Sequence, residues 1–301
     1  MFNLRKTHSN SRVFDVALVV VVAFGLTVAW LSFRAGGAWI VLGILALVGE
    51  ALVAWGVFVE EFRLVVTSYR ERLVADPKAW IKIAFVSDLH AGAFHDEEWY
   101  GRVAREIQAH KPDVILLGGD YVAERSDSVT ALKPFGELTA PLGKFFVLGN
   151  HDYLDRPEEV AQFVESLGFQ NINNRSVKIV REDREFELHG LDDQWFGKAE
   201  KFVRRSKDIP YVTLAHEPDT ILDLKEGDTD LVISGHTHGG QVRLPLIGAL
   251  WPIPTKLGRS ADRGRKIVNG VPLIVSVGAG EMDGRFRLFC APEVVIVEIG
   301  I

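Results

Sequence analysis

Five short tracts of this chain carry residue types that bind divalent cations. They are Asp88-Leu89-His90, Asp120 after Gly118-Gly119, Gly149-Asn150-His151-Asp152, His216, and Gly235-His236-Thr237-His238-Gly239-Gly240. Oxygen and imidazole donors together suit Mn, Fe, Zn and similar divalent ions. One carboxylate able to bridge would hold two such ions about 3.5–4 Å apart, and a hydroxide between them would attack phosphorus in line. Nine histidines are present, and five fall in these tracts: His90, His151, His216, His236 and His238. His8, His95, His110 and His189 are read as surface or hydrogen-bonded polar positions. Gly118, Gly119, Gly149 and Gly235 allow tight turns and close approach of backbone to ions and phosphate.

These tracts need elements to hold them at one place, and the pattern supplies strand ends. Ile81–Val86, Asp113–Leu117 and Lys144–Leu148 read as short buried strands, each running into one of the first three tracts. Asp96–His110, Ser128–Leu138 and Pro157–Leu167 read as helices between or after them, the last with proline in its first turn and Gly168 beyond it. Further strands are expected at 177–180, 186–188, 211–214, 231–233, 273–277 and 294–299. Alternating strands and helices imply right-handed crossovers and helices outside a central sheet. With few helices late in the chain, a mixed two-sheet sandwich follows. In open α/β sheets ligands bind beyond the carboxyl ends of strands, so the tracts converge there.

The first sixty residues are of another kind. Residues 16–33 form an apolar run without a charge, and residues 38–59 a second run broken only by Glu50. A helix of about 18 residues is about 27 Å long, close to the hydrocarbon thickness of a bilayer. The link from Arg34 to Gly37 is too short for anything but an antiparallel hairpin. A cleaved signal peptide fits poorly, because a second long apolar run follows directly. Arg5, Lys6 and Arg12 precede the first run, Arg63, Arg70 and Arg72 follow the second, and the link carries only Arg34. The positive-inside rule then puts both ends, and the large C-terminal part, in the cytoplasm. Residues 1–61 are therefore read as a membrane hairpin, 62–80 as a linker or first strand, and 81–301 as a catalytic domain. Glu50 is expected to be neutral and turned toward a partner helix, since a mid-membrane charge is costly.

Composition narrows the partners. A net charge of −6 over 301 residues offers nucleic acid no broad attraction, so none is expected as a partner. Cys290 is the only cysteine, so no intrachain disulfide forms, and an apolar setting makes it a buried structural thiol.

The order SDLH, GGD, GNHD, a lone His and GHTHGGQ resembles the calcineurin-like metallophosphoesterases, over a match from about Ile81 to the C-terminus. The tract GHTHGGQVRLPLIG and the apolar N-terminus are similar to a bacterial membrane-associated branch. That branch includes broad phosphodiesterases and pyrophosphatases acting on UDP-2,3-diacylglucosamine. The resemblance implies a four-layer α/β/β/α sandwich, here preceded by a two-helix transmembrane hairpin, with two divalent metal ions as cofactors. It implies that Asp88, His90 and His238 hold one ion, that Asn150, His216 and His236 hold the other, and that Asp120 bridges. His151 would stabilise the transition state or protonate the leaving oxygen, and Asp152 would orient His151. The second block reads GGDYVAE rather than GDxxD, so Glu124 receives no role. The implied substrate is a phosphodiester or pyrophosphate, with a lipid-linked form such as UDP-2,3-diacylglucosamine suggested by the anchor. In a bacterium the location would be the inner membrane.

Two other readings compete: a non-catalytic membrane scaffold on the same fold, and a phosphodiesterase for soluble nucleotides. Loss of ligands would mark the scaffold, yet all seven ligand positions and His151 are intact. Arg125, Asn173, Asn174, Arg175 and Gln194-Trp195 are candidates for substrate contact. Residues 244–257, apolar with three prolines, are either a loop packed on the core or a lipid-facing lip.

Overall fold

A computed structural model describes residues 9–200, 204, 206–282 and 284–301. Arg5, Lys6 and His8 lie outside them, as does the side chain of Arg12. Helices α1 (Ser9–Ala35) and α2 (Trp39–Phe58) form an antiparallel pair. Gly36 and Gly37 turn the chain between them with φ of +67° and +57°, a conformation costly for other residues. The segments Phe14–Ala35 and Trp39–Phe62 are long and apolar enough to cross a membrane, and most of their side chains face outward. Glu50 is turned toward α1: a Cβ added to Gly25 would overlap its carboxylate.

Two six-stranded sheets follow. The first has the order β1 (Val65–Arg72), β14 (Glu293–Gly300), β2 (Trp80–Val86), β3 (Val114–Leu117), β4 (Lys144–Phe146), β5 (Gln170–Asn171). The second has β12 (Gly264–Val268), β13 (Val271–Val275), β9 (Leu231–Ser234), β8 (Tyr211–Leu214), β7 (Arg184–Gly190), β6 (Arg175–Arg181). A short hairpin, β10 (Arg243–Leu244) and β11 (Gly248–Ala249), stands apart from both. Of the two readings for 62–80, Val65–Arg72 forms a strand, parallel to β14. β14 in turn runs antiparallel to β2, which a chain read in sequence order does not reveal.

Side-chain alternation builds the layers. In β2, Ile81, Ile83 and Phe85 face the second sheet, where they meet Phe186, Val212 and Ile233. Ala84 and Val86 face α3 (Glu97–Ala109) and α4 (Pro157–Ser166) on the outer side. α3 buries Trp99, Tyr100, Val103, Ala104 and Ile107, one stripe at spacings of three and four. The Asp96 carboxylate caps it by accepting from Trp99 N at 3.2 Å. The helix expected at 128–138 is instead a run of 3-10 turns over Ser126–Glu137, where Pro134 lacks the N–H that an α-helix interior needs. Short 3-10 turns also make the fourth layer, where Ile221, Leu224 and Ala261 cover β9 and β13. The α/β/β/α plan is present, with its last layer reduced to single turns.

The hairpin is joined to this body by packing as well as by the chain. Val57 is fully buried, and the Arg287 amide donates to Gly56 O at 3.3 Å. A Cβ on Gly56 would lie 2.2 Å from the Phe286 ring, so glycine is what lets α2 close on the loop after β13.

Candidate metal centre

Five strands of the two sheets deliver the site. Asp88 and His90 follow β2, Asp120 follows β3, Asn150 and His151 follow β4, His216 follows β8, and His236 and His238 follow β9. The chain must turn sharply at each end to aim a side chain back across the sheets. Asp88, His90, Asp120, His236 and His238 do so with φ of 54°, 45°, 56°, 69° and 49°. A left-handed conformation costs a non-glycine residue about 1–2 kcal/mol, and its clustering at one place is the mark of a functional site. The close approach requires glycine beside it: a Cβ on Gly149 would lie 2.4 Å from Asp120 Oδ1 and 2.8 Å from His216 Cε1.

The donors fall into two buried groups, Asp88 with His90 and His238, and Asp120 with His216 and His236. In the first, His90 Nε2 stands 3.0 Å from His238 Nε2, and His238 Nε2 is 3.5 Å from Asp88 Oδ1. In the second, His216 Nε2 is 3.2 Å from each of Asp120 Oδ2, Asn150 Oδ1 and His236 Nδ1. Asp120 Oδ2 is also 3.6 Å from His90 Nε2, so one oxygen faces both groups. In this second group the remaining ring nitrogens are tied down. His216 Nδ1 donates to Gly118 O at 2.7 Å, and His236 Nε2 to Pro254 O at 2.9 Å. Such bonds fix the tautomer and leave the other nitrogen's lone pair for a ligand.

Electrostatics agree with cation binding. Burial pushes His90 down to about 3 and His236 to about 4, and burial beside His90 holds His238 well below its usual range. These imidazoles are neutral at neutral pH. Burial raises Asp88 to about 6. Burial would raise Asp120 too, but His216, His90 and His151 outweigh it and hold it below the usual carboxylate range. Conversely, burial opposes protonation of His216, and Asp120 overrides it. Facing imidazole nitrogens 3.0 Å apart and a carboxylate between two donor groups fit divalent cations in both places.

His151 and Asp152 are placed differently from each other. His151 Nδ1 donates to Ala123 O at 2.5 Å, so its Nε2 is the free nitrogen, and its ring lies edge-on to His90 with centroids 4.8 Å apart. Asp152 was expected to orient this ring, but its carboxylate is fully occupied elsewhere. It accepts from the backbone amides of Asp120, Tyr121, Val122 and Gly149 at 2.8–3.3 Å. Asp152 thus clamps the turn after β3 to the turn after β4, and the carbonyl of Ala123 takes the orienting contact. Burial, then Asp120, push its pKa up to about 8, against the pull of the Gly149 and Tyr121 amides.

A cavity of about 580 Å³ opens above the site. Asp120, Asn150, His151, His236 and His238 line its floor. Its walls are apolar and include Phe14, Trp195, Trp251, Met282 and Phe286. Of the sequence candidates for substrate contact, only Trp195 lines it, with its ring edge-on to His236 at 4.6 Å. Asn173 and Asn174 instead bond to Asp192, and Arg125 pairs with Asp127. Of the two readings for His95, the polar contact rather than the surface position is found: its side chain is buried, stacked on Trp99, and 2.5 Å from Glu281. Sequence reading missed the wall residues Phe14, Met282 and Phe286, which carry no motif. It also missed the Ser276–Glu281 loop, where Gly280 N donates to Asp88 O at 2.7 Å, although the two glycines there were a visible sign. Cys290 is buried, as expected, beside Gly239.

The sequence profile of the calcineurin-like phosphoesterases matches residues 81–240. Phosphodiesterase YaeI of Escherichia coli K12 is 31% identical over 238 residues, covering 77% of this chain and 86% of that protein. The UDP-2,3-diacylglucosamine pyrophosphatase LpxG of Chlamydia muridarum is 28% identical over 280 residues, covering 72% of this chain and 83% of that protein. Among solved structures, Haemophilus influenzae NAD nucleotidase overlaps 65% of this chain and 44% of that chain, at 14% identity and a TM-score of 0.43.

Proposed function

The chain belongs to the calcineurin-like phosphoesterase family and is a hydrolase, and we propose that it cleaves a phosphodiester or pyrophosphate bond in an acylated substrate drawn from the membrane. Asp88, His90 and His238 would hold one divalent ion, Asn150, His216 and His236 a second, and Asp120 both. Such ions supply Lewis-acid polarisation of the phosphoryl group and a nucleophile at neutral pH. The chain's own groups do the rest. When it carries a proton on Nε2 as well as Nδ1, His151 presents an N–H to the cavity floor, where it would give that proton to the leaving oxygen or stabilise charge on the phosphoryl oxygens. Asp152 keeps Asp120 and Asn150 in register through the backbone. Trp195 sets its ring edge-on to His236 at the cavity wall.

One observation carries the substrate reading: the polar floor and the apolar wall belong to a single cavity, and part of that wall, Phe14, comes from α1. A phosphate on the floor leaves its apolar portion against Phe14, Trp251 and Phe286. The relation to LpxG, named for a diacylated nucleotide sugar, supports the same class. We further propose that α1 and α2 span the membrane with the catalytic part in the cytoplasm, on the basic residues outside both spans. A C-terminal reporter active only outside the cytoplasmic membrane would overturn that orientation.

The substrate test compares a diacylated nucleotide-diphosphate sugar with its deacylated form on the full-length protein in detergent, alongside metal analysis. A clear preference for the acylated form is expected, falling when Trp251 and Phe286 are made polar. Equal kcat/KM for both forms would favour a soluble nucleotide instead.

A further inference from the structure

We propose that the β10–β11 hairpin and the basic cleft beside it form a second membrane-contact surface, which rests on the anionic leaflet entered by α1 and α2. Leu246 at the hairpin tip is fully exposed, with Ile247 57% and Trp251 62% exposed. Leu246 also holds φ of +67°, a position where a turn ordinarily places Gly, Asn or Asp. An aliphatic side chain kept in a strained conformation at full exposure is poorly explained by folding in water. It is well explained by insertion into the boundary between head groups and acyl chains.

The charge beside the tip points to the same partner. Arg263 and Phe289 line a shallow groove with Leu246 and Ile247, and the same two residues line a neighbouring cleft of about 630 Å³. Arg63, Arg243, Arg265 and Lys266 join Arg263 in that second cleft, together with Asp262 and Glu293. Arg243 pairs with Asp262, Arg63 with Glu60 and Arg265 with Glu71. Arg263 and Lys266 are the cations of this cleft without an ion pair among the described residues, in a chain that carries −6 overall. Juxtamembrane basic clusters are drawn to anionic lipid head groups.

Position completes the case. Arg63 directly follows the 3-10 turn Glu60–Phe62 that ends the second candidate span. On the other side of the hairpin, Trp251 shares a cavity with Phe14, the first residue of the first candidate span. The basic cleft and the apolar tip therefore adjoin the hairpin's outer ends, where head groups lie. This surface would hold the mouth of the metal cavity against the leaflet. The inference rests on the hairpin spanning the membrane, and the experiment separates the two.

Leu246→Cys, Val20→Cys and Glu182→Cys are introduced one at a time into the full-length chain and labelled with an environment-sensitive fluorophore. The parent, whose Cys290 is buried, serves as the blank. Val20 lies within the first span, and Glu182 lies in the β6–β7 turn at the opposite edge of the second sheet from β12. Labelled proteins are placed in nanodiscs of phosphatidylcholine, with or without phosphatidylglycerol, containing lipids spin-labelled near the head group or deep in the acyl chain. The expected result is loss of emission at Leu246 with shallow spin labels, greater with phosphatidylglycerol and reduced by Arg263→Gln with Lys266→Gln. Val20 responds to deep labels, and Glu182 to neither. Quenching at Val20 without quenching at Leu246 overturns the contact surface and leaves the hairpin reading standing. No quenching at either position overturns both. Quenching at Leu246 that is indifferent to phosphatidylglycerol removes the basic cleft from the proposal.

Discussion

The amide of His151 donates to Asp120 Oδ1 at 2.8 Å, which leaves Oδ2 as the oxygen that faces His90 and His216. One backbone bond thus decides which carboxylate oxygen stands between the two donor groups. The arrangement makes the site's dependence on each residue separable.

Asp120→Asn keeps the shape and the acceptor for His151 N but loses the negative charge. Turnover is expected to fall by about 10³-fold or more, as several kcal/mol of transition-state stabilisation disappear. Metal content by elemental analysis should fall with it. Full activity with two ions bound would exclude Asp120 as the bridge.

His151→Ala removes a ring that projects into the cavity, while the Nδ1 bond it loses is to a loop carbonyl. The expected change is a drop in kcat of about 10²–10⁴-fold with both ions retained. Loss of metal equal to that in a ligand variant would make His151 a ligand instead.

Asp152→Ala abandons amides of Asp120, Tyr121 and Gly149 in a buried turn. Leaving such donors unsatisfied costs about 1–3 kcal/mol each, so the metal-free protein should lose stability by about 3 kcal/mol or more in denaturant unfolding. Asp152→Asn, which keeps an acceptor oxygen, should recover part of it. A variant with native stability and only a slower rate would restore the orienting role expected from sequence.

Gly149→Ala tests the packing itself. The added methyl meets Asp120 Oδ1 and the Asp120 amide at 2.4 and 2.6 Å, so the bridging side chain must move. Weaker metal binding in a titration is expected, with the fold kept by circular dichroism. Unchanged affinity would show that the turn after β3 yields freely.

Removing the ions with a chelator should lower the thermal midpoint as well as abolish activity, because the ions bind the folded state alone. At a hundredfold excess over Kd the linked stabilisation is about 2.7 kcal/mol per site. Re-addition of manganese or zinc should restore both, and a midpoint indifferent to chelation would argue against resident ions.

The candidate ligands and most of the scaffold are legible along the chain. Local rules suffice for these features: Asp, Asn and His next to glycine at the ends of apolar strands, an amphipathic stripe in α3, a proline opening α4, and two long apolar runs. Each depends on neighbours a few residues apart, and the spacing is therefore visible along the chain. The tertiary structure decided what depends on distant segments. β14 enters the first sheet between β1 and β2 because its fully apolar run, Val294–Val297, can be buried on both faces only inside a sheet. Asp152 serves backbone amides rather than His151 because the turns after β3 and β4 are brought within hydrogen-bond reach only when those strands pair. Phe14, more than a hundred residues from any histidine of the two candidate metal groups except His90, reaches the cavity wall because Gly56 lets α2 close on the loop around Phe286. No periodicity encodes such a contact; it exists only once apolar surface far apart in the chain has been removed from water together.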